Sequence, residues 1–327
     1  MEELHLDVET RSELDLTDVG AHQYFEHPST DLWCAAYAFG DEPPVIWRPP
    51  APCPERIRAY IAAGGVITAW NAAFERLAVR HILSPKYGWP EIKDEQFRCT
   101  MTEALGMNLP GQLAKAAPAV GLDIIKDEKG HRLMLQMCRP RKIKDSPGVH
   151  WWDDEDRRHR LDEYCKQDVL VEAAIGKLIL RIQPKERKLY FLDMLINDRG
   201  VYIDDKLCRS AEKIVEDSME RLDAEMHRVT GGEVAGCANV VGLIKFLQAN
   251  GIQTDSVDRE HIEDLLIRDD LPPACRKALE LRQEGSKTST AKIAAMLRRR
   301  QADGRMRGNL QFYGASATDR WAARGAQ

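Results

Sequence analysis

The sequence lacks three features that would place it at once in a large class of proteins. It has no apolar run approaching the roughly 20 residues of a transmembrane helix, which argues against an integral membrane protein. Its eight cysteines are scattered without a C-x-x-C pair or a signal peptide, which favours reduced cytosolic thiols over disulfides or a zinc site. Its net charge of -5 shows no basic excess, so a protein that coats DNA non-specifically is not expected, although local basic patches can exist.

What the chain does contain is enough apolar sequence for a sizeable core. Of its 327 residues, 43% are hydrophobic and 30% are charged, so extended disorder is not expected. The length suggests about two domains. No internal repeat and no low-complexity tract interrupts it. A folded protein of about two domains is therefore expected.

The first ten residues carry the pattern on which the functional interpretation depends. Leu4, Leu6 and Val8 alternate with polar residues, which is the period of a β-strand. Asp7 and Glu9 are two residues apart, so they point to the same face of that strand. Neighbouring like charges on a strand are destabilising, and a divalent cation would offset their repulsion. A solvated acidic edge strand is the simpler alternative for a D-x-E pattern taken alone.

Hydrophobic periodicity and turn residues predict an α/β arrangement in the first half of the chain. Because strands come first and helices follow, a layered α/β domain is expected. Asn71 is placed to cap the helix that begins at residue 72. After the first strand, further strands are predicted at residues 32–39, 45–47 and 66–70, and helices at 55–63, 72–83 and 154–182, with a broken helical stretch from 99 to 137.

From residue 184 onward the pattern becomes mainly helical. Pro184 punctuates the end of the preceding helix, so a domain boundary is predicted there. A helical bundle of unknown purpose is the simplest interpretation of this half. The predicted helices are 186–197, 206–229, 240–249, 259–267 and 273–300, and a short apolar segment, 200–204, separates the first two.

Three further residues stand at positions where they could join Asp7 and Glu9. Glu75 lies in the first turn after the predicted strand at 66–70. Tyr164 and Asp168 are four residues apart on a predicted helix and therefore share one face. Structural explanations suffice for each alone, because a helix dipole stabilises an acid near its N-terminus and a tyrosine can pack against a helical neighbour.

Taken together, the motifs resemble those of a known enzyme superfamily. D-x-E on a strand, N-x-x-F-acid after another strand and Y-x-x-x-D on a later helix occur in the order typical of the DEDD 3′–5′ exonucleases, in the branch with tyrosine in the third motif. The match covers residues 1 to about 182. It implies an RNase H-like α/β domain over residues 1–183, with a mixed central sheet and flanking helices.

The resemblance also implies a role for each matched residue. Two divalent ions, Mg²⁺ or Mn²⁺, would be held by carboxylates, because hard cations prefer oxygen ligands. Asp7 would bridge both ions. Glu9 and Asp168 would complete the shell of the first ion, and Glu75 would serve the second, directly or through water. Tyr164 would orient the attacking water.

One matched position departs from the superfamily pattern, which usually has Asp where this chain has Glu75. Glutamate is one methylene longer, so we expect the second ion to shift or to bind less tightly while the carboxylate chemistry is kept. Asn71 and Phe74 belong to the same motif, and we expect both to contact the DNA substrate.

The second half resembles the polymerase part of family A DNA polymerases, and the order of its pieces is most similar to phage-type members. Residues 200–204 resemble the junction between exonuclease and polymerase domains, residues 285–292 the stretch between thumb and palm, and residues 313–321 the palm motif T-G-R-W/L. Residues 184–327 would then be a thumb and the beginning of a palm. The residues expected to contact DNA phosphates there are Lys287, Lys292 and Arg320.

Asp319 departs from the palm motif, because the family has Gly at this position. An aspartate side chain could hinder a backbone conformation that glycine adopts freely. The palm carboxylates of the family lie further along the chain than residue 327. The chain as given is therefore not expected to polymerise DNA.

The leading expectation is thus the N-terminal part of a phage-type DNA polymerase that acts as a proofreading 3′–5′ exonuclease. It would remove nucleotides from a single-stranded or frayed DNA 3′ end and release 5′-monophosphates. Its expected location is the cytoplasm, that of a bacterial host if it is phage-encoded, with no membrane association. A stand-alone DEDD ribonuclease and a non-catalytic DNA-binding fragment remain open as alternatives. The oligomeric state is not predicted.

Overall fold

The central element of the fold is β1 (Leu4–Arg11), the middle strand of a five-stranded mixed sheet. Its apolar side chains are buried, as the alternation of Leu4, Leu6 and Val8 predicts. The computed structural model describes residues 2–123, 127–141, 143, 146–286, 290–315 and 318–325.

All five strands of this sheet come from the first hundred residues. Besides β1, they are β2 (Asp31–Phe39), β3 (Val45–Trp47), β4 (Ile67–Ala69) and β5 (Phe97–Cys99). The order is β3-β2-β1-β4-β5, with β1 antiparallel to β2 and parallel to β4. β3 is antiparallel to β2, and β5 is parallel to β4. The mixed α/β class is confirmed, and β5 is the strand that the sequence pattern did not predict.

Ten α-helices are described between residues 2 and 202. They are α1 (Leu16–Val19), α2 (Ala21–Glu26), α3 (Glu55–Ala62), α4 (Ala72–Ala78), α5 (Ser84–Tyr87), α6 (Thr100–Leu105), α7 (Leu113–Ala119), α8 (Glu128–Met137), α9 (Glu155–Leu178) and α10 (Pro184–Arg199). A π-helical turn, Val79–Leu83, joins α4 to α5. The predicted helix at 72–83 is therefore helical throughout but changes its hydrogen-bond pattern after Ala78.

The core of this region lies where the central strands meet the helices. Leu4, Ile67 and Phe97, from three strands of the sheet, are each 1% exposed or less. Leu77 of α4 and Ile57 of α3 pack in the same cluster. Burying an aliphatic or aromatic side chain of this size contributes about 1.5–3 kcal/mol, so this cluster fixes α4 against the sheet.

The helix α9 contacts both β1 and β2. Leu161, Cys165 and Val169 follow one another at four-residue spacing and are all buried, so they form one stripe along the helix. The Asp154 carboxylate caps the helix by accepting a hydrogen bond from the backbone N–H of Arg157. The stripe and the cap together fix the rotation of α9 relative to the sheet.

Further along the chain, four helices precede the C-terminal segment, and four short strands make two separate pairs. The helices are α11 (Asp205–Val229), α12 (Val240–Ala249), α13 (Arg259–Leu266) and α14 (Pro273–Gly285), followed by α15 (Ala291–Arg299). The strands are β6 (Val201–Tyr202), β7 (Arg305–Met306), β8 (Leu310–Ala315) and β9 (Arg320–Ala323), with β6 paired to β7 and β8 to β9.

The chain divides into two compact units. Unit 1 comprises Met1–Tyr202 and Arg298–Gly325, and unit 2 comprises Ile203–Leu297. Unit 2 is helical, with a core that includes the fully buried side chains of Leu247, Cys275 and Leu279. Unit 1 holds the five-stranded sheet and both strand pairs.

The boundary between the units differs from the predicted break at 183/184. The helix α10 lies in unit 1, where Tyr190 and Met194 join the core and the Tyr190 ring packs against Phe312 at 5.8 Å. The chain also returns to unit 1 at Arg298. A local change of composition at Pro184 therefore marks the start of a helix rather than the edge of a compact unit.

Two other stretches differ from the structure in detail, whereas the broken helical stretch predicted at 99–137 is confirmed. After Cys99, the last residue of β5, the described residues of that stretch hold three separate helices, α6, α7 and α8. The stretch at 16–26, where no element was predicted, contains α1 and α2. The helix predicted at 273–300 is two helices, because α14 ends at Gly285 and α15 begins at Ala291. Among the described residues, no helix combines the length and the apolar character needed to cross a membrane.

Candidate active site

A cavity of about 320 Å³, which we call the carboxylate cavity, is lined by residues of β1, α4 and α9. All seven site residues predicted in the first half of the chain line it. They are Asp7 and Glu9 from β1, Asn71 at the start of α4, Phe74 and Glu75 from α4, and Tyr164 and Asp168 from α9. Segments that lie far apart in the sequence thus meet at one place.

Local structure explains how each acidic side chain reaches the cavity. Residues two apart on a strand share a face, so β1 brings both Asp7 and Glu9 to the same side. The first turn of α4 directly follows β4 and carries Glu75, which is only 4% exposed. Tyr164 and Asp168 are one turn apart on α9, and the interaction of the tyrosine hydroxyl with the aspartate carboxyl lowers the pKa of Asp168 against the effect of burial.

Burial and mutual repulsion raise the pKa of all four carboxyl groups. Burial raises the pKa of Asp7 to about 6, against the opposing effect of a hydrogen bond from Cys165. Burial, with the charge of Asp7, raises the pKa of Asp168 to about 8. The pKa values of Glu9 and Glu75 lie well above the ordinary range, again through burial first and the charge of Asp7 second. The protein alone therefore does not stabilise four negative charges here.

The four carboxylates lack a cationic partner among the described residues, since Arg139, which also lines the cavity, pairs with Asp15 instead. No lysine or arginine there forms an ion pair with any of the four carboxylates, and none contributes to their pKa values. The Oε2 atom of Glu75 is buried and has no hydrogen-bond partner. An unpaired buried polar atom is costly, and carboxylate oxygens are the ligands that Mg²⁺ and Mn²⁺ prefer. The donor set therefore fits divalent cations of this kind.

Cys165 is a member of the site that the sequence interpretation did not include. Its thiol lies 3.1 Å from Oδ2 of Asp7 and 3.5 Å from the Asp7 carbonyl oxygen. Asp7, Glu9 and Cys165 each present a potential ligand atom within 4.8 Å of the other two. The helical spacing could have indicated that Cys165 lies near Asp7, because Cys165 belongs to the apolar stripe of α9 that faces β1.

A second buried group stands beside the cavity. The carboxylate of Glu172 accepts hydrogen bonds from the Thr100 hydroxyl and from the His5 ring, whose Nδ1 lies 2.5 Å from Oε2. The charge of Glu172 contributes to the raised pKa values of Asp7 and Glu75. The sequence contained a signal for Glu172, because it follows Asp168 by four residues on the same helix and therefore lies on the same face.

Asn71 and Phe74 form a wall of the carboxylate cavity. Asn71 occupies the N-cap position of α4, but its side chain makes no capping hydrogen bond, so the predicted cap is wrong. The Asn71 side chain is exposed and forms no hydrogen bond within the described part of the chain. The ring of Phe74 packs edge-on against Phe25 at 4.7 Å. The wall therefore combines an available amide with a fixed aromatic ring.

Of the DNA contacts predicted in the second half, Arg320 belongs to the same unit as the carboxylate cavity and does not line it. Arg320 is exposed on β9 in unit 1, and Lys292 is exposed on α15 in unit 2. Lys287 lies outside the described residues. Asp319 has a φ angle of +50°, a left-handed conformation that favours glycine. This agrees with the expectation that the backbone at this position adopts a conformation that suits glycine better than aspartate.

Known DNA polymerases resemble this chain in sequence and in fold, although no family model matches it. The DNA polymerase of Bacillus phage SP02 is 35% identical over 337 residues, covering 99% of this chain and 50% of the phage protein. Among solved structures, the POL domain of Pol1 from M. smegmatis in complex with DNA primer-template and dNTP is similar, with a TM-score of 0.51.

That structural similarity covers 98% of this chain and 51% of the neighbour, at 14% identity, and concerns the fold alone. The sequence similarity extends over nearly the whole of this chain. The chain is thus similar over nearly its whole length to a phage DNA polymerase, in agreement with the resemblance to phage-type polymerases, and it spans about half the length of this curated relative.

Proposed function

We propose that unit 1 carries a 3′–5′ exonuclease that removes nucleotides from DNA 3′ ends and releases 5′-monophosphates. The observation that carries this proposal is the carboxylate cavity, where four acidic groups and a tyrosine from three elements meet and no described lysine or arginine forms an ion pair with any of the four acids. The relationship to a DNA polymerase supports DNA as the substrate, because a proofreading site acts on the strand that a polymerase extends.

The four carboxylates would hold two divalent cations. Asp7 is central, because its charge raises the pKa values of Glu9, Glu75 and Asp168 and its carboxylate therefore interacts with all three. When bound, Mg²⁺ or Mn²⁺ would supply a lowered pKa for the attacking water and stabilisation of the charge that develops on the phosphate. The longer Glu75 side chain carries the unpartnered oxygen that would face the second ion.

Tyr164 would position the attacking water. Burial and the neighbouring carboxylates raise its pKa above the ordinary value, so the hydroxyl keeps its proton at neutral pH. That proton would be donated to Asp168, which would leave the hydroxyl oxygen free to accept a hydrogen bond from water. Water held in this way directs its own lone pair away from the tyrosine and towards the scissile phosphate.

The wall of the cavity would hold the terminal nucleotide. The available amide of Asn71 can hydrogen-bond to the nucleotide, and the Phe74 ring offers an apolar edge to a sugar or base. The five-stranded sheet with flanking helices supports an RNase H-like class for this domain. The helical unit 2 supports a thumb, and the strands at 305–323 support the beginning of a palm, where Arg320 would contact phosphates.

The test is degradation of a 5′-labelled single-stranded DNA oligonucleotide with Mg²⁺ or Mn²⁺, beside an RNA of the same sequence. Asp7→Ala serves as the matched control, because it removes the central carboxylate without altering the sheet hydrogen bonds. A ladder that shortens from the 3′ end of DNA, and is absent with Asp7→Ala, is the expected result.

Two other outcomes would redirect the proposal. Faster degradation of the RNA would assign the site to a ribonuclease. Degradation of neither strand by the wild-type chain, with full folding, would leave a non-catalytic DNA-binding fragment and reject the exonuclease.

A further inference from the structure

A second cavity, of about 390 Å³, lies on the other side of the wall formed by Asn71 and Phe74. Both residues line this cavity and the carboxylate cavity, so the two spaces are adjacent. All residues that line the second cavity belong to unit 1. We call it the arginine cavity, because its lining includes Arg76, Arg299, Arg307 and Arg324.

Two of these arginines have no carboxylate partner among the described residues. The guanidinium of Arg299 donates to the carbonyl oxygen of Thr17 at 2.8 Å, and that of Arg324 donates to Oε1 of Gln311 at 2.7 Å. Both acceptors are neutral. A Cβ atom placed on Gly325 would lie 3.1 Å from Nη1 of Arg299, so the Arg299 head group lies beside the residue that follows Arg324. Two uncompensated cations therefore share one side of the cavity.

The remaining charges at this cavity do not neutralise them. Arg76 and Arg307 are already paired with acidic side chains, Arg76 with Asp198 and Arg307 with Asp303. Asp193 is the acidic residue of the lining, and burial raises its pKa to about 6. Its two oxygens accept hydrogen bonds from Trp321 at 2.7 Å and from Asn197 at 3.0 Å. The open cationic groups of the cavity are thus Arg299 and Arg324.

The chemistry of such a space suits phosphate groups. Guanidinium groups bind phosphate oxygens through strong, charge-assisted hydrogen bonds, often in pairs. The volume falls in the range of pockets that hold nucleotide-sized ligands, roughly 300–1,000 Å³. A strand whose 3′ nucleotide lies in the carboxylate cavity has to continue past its rim, and the space beyond the shared wall is the arginine cavity.

We propose that the arginine cavity binds backbone phosphates of the nucleic acid strand whose 3′ end occupies the carboxylate cavity. This inference rests on the proposed exonuclease function, and it specifies the path that the nucleic acid strand takes outside the carboxylate cavity. Arg299 and Arg324 are the residues that contact the phosphates. Asn71 and Phe74 separate the terminal nucleotide from the preceding ones.

The test measures binding without cleavage. A fluorescent oligodeoxythymidine of about 12 nucleotides is titrated with protein in EDTA, from about 50 to 200 mM salt, and followed by anisotropy. We compare the wild type with Arg299→Gln, Arg324→Gln and the double variant. The control is Lys185→Gln on α10, which removes one charge from unit 1 outside the lining of the cavity.

The double variant is expected to bind about tenfold more weakly, and the salt slope to fall by roughly 0.7 for each phosphate that the protein no longer neutralises. Lys185→Gln leaves both quantities near the wild-type values. Arg299→Lys and Arg324→Lys keep most of the slope, because the charge is retained. Matching unfolding temperatures establish that the variants fold.

Each remaining outcome rejects part of the account. Unchanged affinity and slope in a folded double variant would overturn the strand path, as would an equal loss of affinity with Lys185→Gln. Displacement of the oligonucleotide by dTMP at matched phosphate concentration would make the cavity a mononucleotide site instead. If the expected binding pattern occurs but the wild type cleaves nothing with Mg²⁺ or Mn²⁺, the proposed function fails and the phosphate site stands.

Discussion

Unit 1 contains two groups of charges, each including buried side chains, that are compensated in opposite ways. In the Arg76 cluster, formed by Arg76, Arg80, Asp94 and Asp198, arginine head groups lie 2.5 and 2.8 Å from the two oxygens of Asp198. These contacts outweigh burial and lower the pKa of Asp198 to about 2. In the carboxylate cavity Asp7, Glu9, Glu75 and Asp168 have no such cationic partner, and the pKa of each of these four groups is raised.

The difference distinguishes a structural role from the cation-binding role that we propose for the carboxylate cavity. A buried acid whose role is structural is paired with a cationic side chain of its own chain, as Asp198 is. A group of buried acids without such a partner is stable only when protonated or when a cation arrives from solution. The four acids of the carboxylate cavity form a group without such a partner, and they are also the residues predicted to bind metal.

The largest expected effect comes from removing the central acid of the uncompensated group. Asp7→Asn should lower nuclease activity by about 10³-fold or more, because one cation-holding carboxylate is worth several kcal/mol in the transition state. Folding should be retained, because the repulsion among the remaining acids decreases. Single-turnover cleavage and urea unfolding in EDTA measure the two effects. A variant with wild-type activity would reject the assignment of Asp7.

Breaking the compensated group should have the reverse consequence, a loss of stability rather than of chemistry. Arg76→Met leaves Asp198 with the more exposed Arg80 as its main partner, and the free energy of unfolding should fall by about 3 kcal/mol. Urea unfolding measures the change. The double variant Arg76→Met with Asp198→Leu should recover part of the loss, and no recovery would mean that the two residues are not coupled.

The two groups should also give opposite pH dependences. In EDTA, the folded chain keeps protons on Asp7 up to about pH 6 and on Asp168 up to about pH 8, whereas unfolded aspartates lose them near pH 4. The folded state binds more protons in this window, so the free energy of unfolding falls as pH rises from about 4 to about 8. Saturating Mg²⁺ should reduce that fall, because the bound cation favours the ionised carboxylates.

The Asp198 contribution has the opposite sign. Its folded pKa of about 2 is below the unfolded value, so its stabilisation is complete above about pH 4 and is lost as pH falls through 2. Urea unfolding at pH 5 and pH 8 checks the fall expected from the raised carboxyl pKa values, with Asp168→Asn as the control that should reduce it. An unfolding free energy that rises from pH 5 to pH 8 in EDTA would contradict those raised pKa values.

The smallest effect is expected at the neutral donor that supports Asp7. Cys165→Ala removes the thiol 3.1 Å from Oδ2 of Asp7, so the pKa of Asp7 should rise further and Mn²⁺ affinity should fall a few-fold. Cys165→Ser keeps a donor and should retain more affinity. Calorimetric Mn²⁺ titration compares the three proteins, and equal affinities would show that the thiol only fills space.

Much of the framework could be predicted from local patterns. The alternation in β1 and the four-residue spacing on α9 are each contained within about ten residues, and both elements formed as predicted. The spacing also indicated which acids share a face, and the structure brings them into one cavity. The catalytic roles of these residues stay predictions.

The parts that could not be predicted depend on contacts between distant segments. Cys165 lies against Asp7, and Glu172 against His5, across more than 150 residues of sequence. The three residues of β5 form a strand because β4 pairs with them, and no periodicity is visible over so short a run. The return of the chain to unit 1 at Arg298, which creates the arginine cavity, has no local signal at all.

The measurement that tests the central claim most directly is a calorimetric titration of the wild-type chain with Mn²⁺ at pH 8, beside Asp7→Asn and Asp198→Asn. The account predicts that the wild type and Asp198→Asn bind Mn²⁺ and that Asp7→Asn binds it much more weakly. Equal binding by all three proteins, or no binding by the wild type, would show that the uncompensated acids are not a cation site.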